Sequence, residues 1–527
     1  MQYNSWLYLL VFLGFTVLCY YLVPLKHRWV VLLAASTVFY WISCRWLILV
    51  LPLTTVFLYF GTLRIDRNRQ DFKSKKAELD RAARKALKAR TETRNRHLLA
   101  ALCCLAFGIL FFTKYFNFAA GNLNLLIRHF SASAQIPQLR LLMPLGISFY
   151  TLSAVSYVAD VSNGVCRAQA NYWKLLLFLM FFPVITEGPI CRYSQLGKSV
   201  SEGHPFHYRS FCFGLQLIVW GLFQKVVLAD RLDQFVGNIF TNYRTYSGRV
   251  VVFASIVYTF QIYMDFSGCV DIARGSAELF GISLPENFRR PFFSISVNDF
   301  WRRWHITLGA WLRDYIFYPL SMSRPLQALS AHSRKHVSAY YASTVSALIA
   351  LLAVWFGNGI WHGAAWKYVC YGLYYYVITA MGLLLEPAFA RIRQALRLNP
   401  AQKGYHLFQI LRTFVLVNLG MLIFRADSLS TAWSMFLSVF RPYTGSLMQV
   451  MQAQGLPAGQ TLIAACGAVL VFLVSLYRER GISIRESIAA KPISVRWGIY
   501  ITAVLLVVIA GAYGPGFGAV DFIYAQF

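Results

Sequence analysis

Charged residues are scarce in this sequence of 527 residues. They make up 13% of the chain, about half the share of roughly a quarter that is typical of soluble globular domains. Hydrophobic residues account for 57% and aromatic residues for 17%. This composition excludes a disordered chain, a fibrous repeat and an ordinary cytosolic enzyme. At about 20 residues per crossing, the chain has room for ten or more membrane spans, so it predicts an all-α, multi-span integral membrane protein.

Acidic residues are the rarer charge, with 21 Asp and Glu against 50 Lys and Arg and a formal net charge of +29. In a soluble protein this excess would indicate nucleic-acid binding. Here most basic residues lie between apolar runs, as the positive-inside rule expects of cytoplasmic loops. The charge therefore predicts no nucleic-acid partner. It favours membrane lipid head groups or a polyanionic cosubstrate such as a coenzyme.

Metal and redox motifs are missing as well. The ten cysteines form no C-x-x-C pair, and most lie inside apolar runs, where a cysteine is usually a small buried side chain. We expect no metal site. The amino terminus has no basic segment before its first apolar run, which predicts a retained span rather than a cleaved signal peptide. No internal repeat is visible, and this argues against transporters built from inverted repeats.

The apolar runs predict 11 to 13 spans, with some re-entrant or interfacial helices among them. Two basic segments set the expected topology, because residues 64–97 carry 13 Lys and Arg against 5 acids and residues 286–336 carry 8 against 3. We expect both on the cytoplasmic side of the cell membrane. Counting back three spans from 64–97 places the amino terminus outside. The predicted divisions are amino-terminal spans 1–63, a basic connector 64–97, a core 98–425 and carboxyl-terminal spans 426–527.

Residues 296–318 have the pattern of one amphipathic helix. Ser296 and Asp299 have the spacing of a capping box at a helix start, and Trp301 and Trp304 begin an apolar stripe at helical spacing. His305 lies on that stripe. A buried imidazole needs a polar partner or a polar cavity, so the sequence leaves two interpretations: a core histidine bonded to a neighbouring carbonyl, or a functional group.

A second histidine lies at membrane depth in residues 354–376, where an ionisable side chain is costly and is by default a functional candidate. His362 has Asn358 four residues before it and Trp366 four residues after it, which predicts one shared helix face. Trp361 is its immediate neighbour. The small residues around it predict either close helix packing or a narrow passage. A helix contact held by one polar bond, a proton relay and an acyl transfer all remain open from the residues alone.

Charged side chains near these histidines are candidates for substrate binding. Arg289, Arg290, Arg302 and Arg303 have the chemistry to hold coenzyme phosphates, although membrane orientation alone would also explain them. Asp265 ends an apolar run. A carboxylate at that depth needs a partner, which predicts a structural pairing with a Tyr, Arg or His, or else a role in donor binding.

Four segments resemble one known family. DFSGCVDIARG, LPENFRRPF, DFWRRWHITLGAWLRDYIFYPL and GIWHGAAWKYVCYGLYY, all within residues 258–376, are similar to the membrane-bound O-acyltransferases. The resemblance is to the bacterial branch whose members acetylate polysaccharides or transfer D-alanine to teichoic acid. Weaker similarities occur at GPICRYSQL, at FRADSLSTAW and at the terminal DFIYAQF.

The resemblance implies a helical core around a funnel and tunnel, with His362 at the position of the family's catalytic histidine and His305 at its second histidine. Asn358 is then a catalytic candidate beside His362. The donor and substrate would contact the residues Trp301, Arg302, Arg303, Trp304, Arg289, Arg290, Trp361, Trp366 and Asp265. No permanently bound cofactor is implied.

The reaction implied is transfer of an acetyl group from a cytosolic thioester, acetyl-CoA, for O-acetylation of a polysaccharide outside the membrane. It would involve a secreted SGNH-like acetyltransferase or a small membrane protein as partner. The alternative within the enzymes is D-alanyl transfer to teichoic acid from a carrier protein. The alternatives outside them are a transporter of lipid-linked glycan and a scaffold of a polysaccharide secretion machine.

Overall fold

The computed structural model describes residues 1–130, 135–399 and 402–513. These residues confirm the all-α prediction, since they form helices and, apart from one isolated antiparallel bridge between Phe288 and Trp304, no β-structure. The terminal DFIYAQF segment lies outside the described residues.

Twenty-four α-helices are formed by the described residues. From the amino terminus to residue 241 they are α1 Gly14–Leu22, α2 Arg28–Cys44, α3 Val50–Lys75, α4 Arg81–Leu110, α5 Phe116–Phe130, α6 Ile147–Asn163, α7 Tyr172–Met180, α8 Tyr193–Ser201, α9 Tyr208–Leu222 and α10 Asp230–Thr241. The next are α11 Arg249–Glu278, α12 Val297–Arg303, α13 Ile306–Leu312, α14 Tyr318–Ser321, α15 Arg324–Ser333, α16 Ala339–His362 and α17 Trp366–Leu384. The last are α18 Glu386–Ala395, α19 Lys403–Arg425, α20 Leu429–Ser438, α21 Leu447–Ala453, α22 Ala458–Glu479, α23 Ile484–Ala489 and α24 Ile493–Ala510.

Eight helical stretches in the described residues are long and apolar enough to cross a membrane, or nine if the bent pair α17 and α18 counts as one span. They are Leu25–Lys75, Arg81–Phe130, Tyr208–Thr241, Arg249–Glu278, Ala339–His362, Lys403–Arg425, Ala458–Glu479 and Ile493–Ala510. This number is below the 11 to 13 spans expected from the sequence. Two apolar runs of the sequence, 29–44 and 46–63, fall within the single stretch Leu25–Lys75, and a third apolar run, 171–186, forms only the nine-residue helix α7.

The chain divides into two compact units. The first comprises residues 1–214 and 273–285 and contains the basic connector. Most of that connector is helical, because α3 continues to Lys75 and α4 begins at Arg81, with the Asp80 side chain accepting a hydrogen bond from the Ala83 N–H. Asn68 on α3 donates to Asn95 on α4 at 2.8 Å. This buried amide pair joins the two helices.

The second unit comprises residues 215–272 and 286–527. Its buried core is built from α10 and α11, the segment 288–304 and the helices α16, α17 and α19. Both candidate histidines belong to this unit.

The single helix predicted for 296–318 is wrong. Its start is confirmed, since the Ser296 hydroxyl accepts a hydrogen bond from the Asp299 N–H. The helix breaks after Arg303, however, because Trp304 is extended and His305 has φ 48° and ψ 50°. The Arg289 N–H donates to the Arg303 carbonyl at 2.8 Å, so the preceding loop takes up backbone groups that a continuous helix would have used itself.

Candidate active site

A glycine crossing between α16 and α17 sets the position of His362. A Cβ on Gly359 would lie 2.5 Å from the Tyr368 carbonyl oxygen, and one on Gly372 would collide with the Trp355 carbonyl oxygen. Small residues permit this backbone approach between helices in a membrane. Of the two interpretations left open for the small residues, the structure therefore supports close packing at these positions. The α16 helix ends at His362, directly beyond the crossing.

The His362 side chain is 3% exposed and is surrounded by aromatic rings. Its imidazole packs edge-on against Tyr371 of α17 at 5.7 Å between ring centroids and against Phe424 of α19 at 5.2 Å. The ring of Trp361 lies 5.0 Å away. Three helices thus hold the imidazole in one orientation, as a positioned catalytic group requires.

His305 is buried to a similar extent, with 2% of its surface exposed. It precedes the first residue of α13, and its Nδ1 lies 3.3 Å from Oδ1 of Asn287. The ring of Phe266 on α11 packs edge-on against the imidazole at 4.8 Å. The structure thus gives His305 an amide side chain as a polar neighbour, rather than only the backbone carbonyl of the simpler interpretation.

One indole lies against both histidines. Trp361 is 5.5 Å from the His305 ring and 5.0 Å from the His362 ring, measured between centroids. Residues 57 positions apart in the chain therefore share a neighbour. The sequence proposed both histidines separately, and the structure brings them into one site.

Burial decides the protonation state of His305. Removal of the ring from water lowers its pKa to about 3, because desolvation disfavours the charged imidazolium. The ring is therefore neutral at physiological pH. A neutral imidazole has one donor nitrogen and one acceptor nitrogen, as proton transfer requires.

Buried N–H donors lie on α16, before His362, and on α12. Asn358 is one turn before His362 and 3% exposed, and its Nδ2 has no hydrogen-bond acceptor among the described residues. The same holds for the indole N–H groups of Trp355 and Trp301, whose rings are 5.1 Å apart. Buried donors without an acceptor are uncommon in folded proteins. This set fits a ligand that presents carbonyl oxygens.

Trp366 and Trp304, which the sequence predicted as donor or substrate contacts, lie in different surroundings from Trp361. The predicted helix face shared by His362 and Trp366 is wrong, because α16 ends at His362 and Trp366 begins α17. The Trp366 side chain has 55% of its surface exposed. Trp304 is buried, and its ring stacks on Phe300 and meets Phe288 edge-on. Its position at the break between α12 and α13 indicates that it holds the loop in place.

The four arginines divide by their partners. Arg290 pairs with Glu479 at 2.6 Å, and Arg303 pairs with Glu479 and with Asp299, each at 3.0 Å. Glu479 lies at the end of α22, so these ion pairs link the loop before His305 to that helix. Arg289 and Arg302 are exposed, and Arg289 is 3.4 Å from Glu286. The exposed pair is the better placed for phosphate.

Asp265 belongs to a buried ionic group that we call the lysine cluster: Lys225, Asp230 and Asp265. Lys225 Nζ lies 2.6 Å from Asp265 and 2.8 Å from Asp230, and all three side chains are less than a tenth exposed. A structural pairing of Asp265 was expected from the sequence with a Tyr, Arg or His, and Lys225 is a partner that the sequence did not indicate. Gly221 and Gly268 allow α9 and α11 to approach closely enough for this pairing.

Comparison with known proteins identifies the family. The model of the membrane-bound O-acyltransferase family matches residues 165–333, which include His305. A protein of Azotobacter vinelandii named as a probable alginate O-acetylase is 31% identical over 462 residues, covering 86% of this chain and 81% of that protein. This chain belongs to the membrane-bound O-acyltransferase family. It is an acyltransferase of the membrane, as its sequence predicted.

Two further relatives are more distant. A peptidoglycan O-acetyltransferase of Helicobacter pylori is 29% identical, and the match covers 62% of this chain and 61% of that protein. A teichoic acid D-alanyltransferase of Bacillus subtilis is 28% identical over 55% of this chain and 70% of that protein. The names of the three relatives share transfer of a small acyl group.

Sequence reasoning missed several residues that shape the site of this membrane-bound O-acyltransferase. Lys225 was detectable, because a lysine inside an apolar run is a signal by itself. Asn287 lies in the quoted PENF segment, yet nothing in the local pattern indicates that its side chain reaches His305. Tyr371 and Phe424 are ordinary aromatic residues in apolar helices. Among the described residues, no group of three or more His, Cys, Asp or Glu side chains is arranged to hold a metal ion.

Proposed function

We propose that this acyltransferase moves an acetyl group from a cytosolic thioester, acetyl-CoA, for O-acetylation of a polysaccharide outside the membrane. The observation that carries the proposal is the pair of buried histidines sharing Trp361, in a chain 31% identical to a probable alginate O-acetylase. The two histidines support the proposed chemistry, and the similarity to a probable alginate O-acetylase supports the proposed class of acceptor.

His362 is the proposed general base. In its neutral form it takes the proton of the acceptor hydroxyl as that oxygen attacks the thioester carbonyl carbon. The C–S bond then breaks, and the thiolate that leaves receives the proton from the imidazolium. A brief acyl-imidazole is the alternative course, in which His362 itself accepts the acyl group before the hydroxyl does.

Asn358 is proposed to stabilise the negative charge that develops on the thioester oxygen. Its buried Nδ2 has no acceptor among the described residues and lies one helical turn from His362. A positioned amide donor of this kind contributes about 100-fold or more to rate in acyl transfer.

The donor is proposed to enter from the cytoplasmic side, near His305. The basic segments 64–97 and 286–336 support that orientation through the positive-inside rule, with the amino terminus outside. Exposed Arg289 and Arg302 are the proposed contacts for the coenzyme phosphates. A secreted SGNH-like acetyltransferase, or a small membrane protein, is the proposed partner that delivers the acetyl group to the glycan.

The test is His362→Ala in purified protein that is combined with the proposed partner and supplied with radiolabelled acetyl-CoA and a polysaccharide acceptor. Loss of a general base predicts a fall in transfer of about 100-fold or more, with the protein still folded. His332→Ala is the matched control, because His332 is an exposed histidine on α15, and it should retain full activity. Unchanged acetyl transfer by the His362 variant would contradict the proposal.

D-alanyl transfer is the second candidate, and the similarity to a teichoic acid D-alanyltransferase favours it. The same purified protein separates the two donors when it is given either acetyl-CoA or a D-alanyl carrier protein. We expect the acyl group to be lost from acetyl-CoA and not from the D-alanyl carrier protein. Turnover of the D-alanyl carrier protein without turnover of acetyl-CoA would show that the donor is the carrier protein. The proposed role of the histidines would then be unchanged.

A further inference from the structure

Asn287 is almost fully buried, with 1% of its surface exposed, and it contacts the start of α13 through both its backbone and its side chain. Its carbonyl oxygen accepts a hydrogen bond from the Ile306 N–H at 3.0 Å. Its side-chain Oδ1 accepts from the Thr307 N–H at 3.0 Å and from the Thr307 hydroxyl at 2.9 Å. Asn287 thus binds the two residues that follow His305 at the start of α13.

These contacts determine which atom of the amide faces His305. A backbone N–H can only donate, so the side-chain atom that meets the Thr307 N–H must be the amide oxygen. That same oxygen lies 3.3 Å from Nδ1 of His305. Two acceptors would repel each other there, so Nδ1 must carry the proton. In a neutral ring the proton on Nδ1 leaves Nε2 as the acceptor.

The backbone of His305 is held in an uncommon conformation by the same residue. Its φ of 48° and ψ of 50° lie in the left-handed region, which few residues other than glycine adopt. Residues held in such conformations concentrate at functional sites, where the surrounding structure maintains them. Asn287 bonds to both residues that follow His305, so it maintains the backbone as well as the ring.

We propose that Asn287 is a positioning residue of the acyl-transfer site, which fixes the Nδ1–H tautomer of His305 and presents Nε2 as the acceptor for a hydroxyl or thiol hydrogen of the reactants. This inference rests on the proposed function, because it assigns a task to His305 within that reaction. The inference deepens the proposed function, because it names Nε2 of His305 as the proton acceptor and Asn287 as the residue that fixes the tautomer.

The test compares Asn287→Asp with Thr307→Val. The aspartate keeps an acceptor for Thr307 and for Nδ1, but it adds a negative charge that raises the pKa of His305. The rings of Phe266 and Trp361 pack on the imidazole and do not ionise. Asp265, beside Phe266 on α11, is paired with Lys225. Thr307→Val removes the hydroxyl bond to the same oxygen and keeps the backbone N–H bond.

The readout is acyl transfer as a function of pH, with kcat and KM determined separately. Asn287→Asp should acquire an acid limb near neutral pH, because the ring becomes protonated there and loses its acceptor. Wild type should have no such limb from His305, whose pKa is about 3. Thr307→Val should keep the wild-type profile. The NMR signal of the His305 ring, followed against pH in Asn287→Asp, should change over the same pH range as the limb, which separates titration of the imidazole from titration of the new aspartate.

Asn287→Leu is the complementary variant, because it removes the acceptor without adding charge. We expect a fall of about tenfold or more in kcat with a smaller change in KM, beyond any loss of folded protein. A purely structural cap would instead give Asn287→Asp and Thr307→Val equal losses of thermal stability and an unchanged pH profile. That result would overturn the inference. If it appeared while His362→Ala was inactive, the proposed function would stand and only this inference would fail.

Discussion

The second unit contains two buried polar sites, and they differ in how the buried polar groups are surrounded. The lysine cluster satisfies charge with charge, because Lys225 lies 2.6 Å and 2.8 Å from two carboxylates. The histidine site, by contrast, places two imidazoles against the single indole of Trp361 and against other aromatic rings. The first arrangement holds helices together by ion pairs. The second packs two imidazoles among aromatic rings that carry no charge.

This difference teaches that burial of a polar group at membrane depth is not by itself a sign of catalysis. The sequence placed Asp265 at membrane depth, and in the structure its carboxylate forms an ion pair with Lys225. His362 was placed at that depth too, but its helix also carries N–H donors, on Asn358 and Trp355, that have no acceptor among the described residues. Our proposal for the histidines therefore rests on these unsatisfied donors and not on burial of an ionisable group alone.

Breaking the lysine cluster should have the largest effect on folding. Lys225→Met leaves two carboxylates buried beside each other, and breaking a buried ion pair costs about 3–5 kcal/mol. We expect a large loss of folded protein, measured by size-exclusion chromatography in detergent and by thermal melting.

A charge-free replacement of the whole cluster is the control. Lys225→Met combined with Asp230→Asn and Asp265→Asn removes all three charges together, and it should recover most of the folded protein and of the acyl transfer. A single Lys225→Met variant that melts like wild type would show that the cluster is not a structural ion group. A stable triple variant without activity would place it in the reaction.

A smaller effect is expected from widening the crossing that positions His362. Gly372→Ala adds a methyl group that collides with the Trp355 carbonyl oxygen, and overpacking costs about 1–3 kcal/mol. Because the α16 helix ends at His362, we expect activity to fall further than the loss of folded protein explains. Gly357→Ala is the matched control, since its nearest neighbour would be Ile316 Cδ1 at 3.6 Å. Equal activity of the two variants would show that the crossing does not position the site.

The sequence predicts the large features of this protein well, because they depend on local chemistry. Apolar runs predict helices, and His305 and His362 stand out as polar residues in apolar surroundings. The break at His305 was not predictable from its own segment, because bonds from the preceding PENF loop, 16 to 20 residues earlier in the chain, produce it. The helix stripe through that position continues without interruption in the sequence.

Long-range partners account for the other differences. Arg290 and Arg303 looked available for phosphate, yet their partner Glu479 lies 176 residues or more along the chain. The end of α16 at His362 separates Trp366 from the face it was expected to share. Local spacing cannot locate such an end, because Gly363 and the tight contact with Tyr368 set it through packing.

The most direct test of the account is the structure of this protein with a non-hydrolysable thioester analogue of acetyl-CoA bound, determined by cryo-electron microscopy. If His362 and Asn358 carry out acyl transfer, the analogue's carbonyl group lies beside His362, with its oxygen about 3 Å from Nδ2 of Asn358, the distance of a working oxyanion donor. An analogue bound with its carbonyl group remote from both residues would contradict the assignment of this site to acyl transfer.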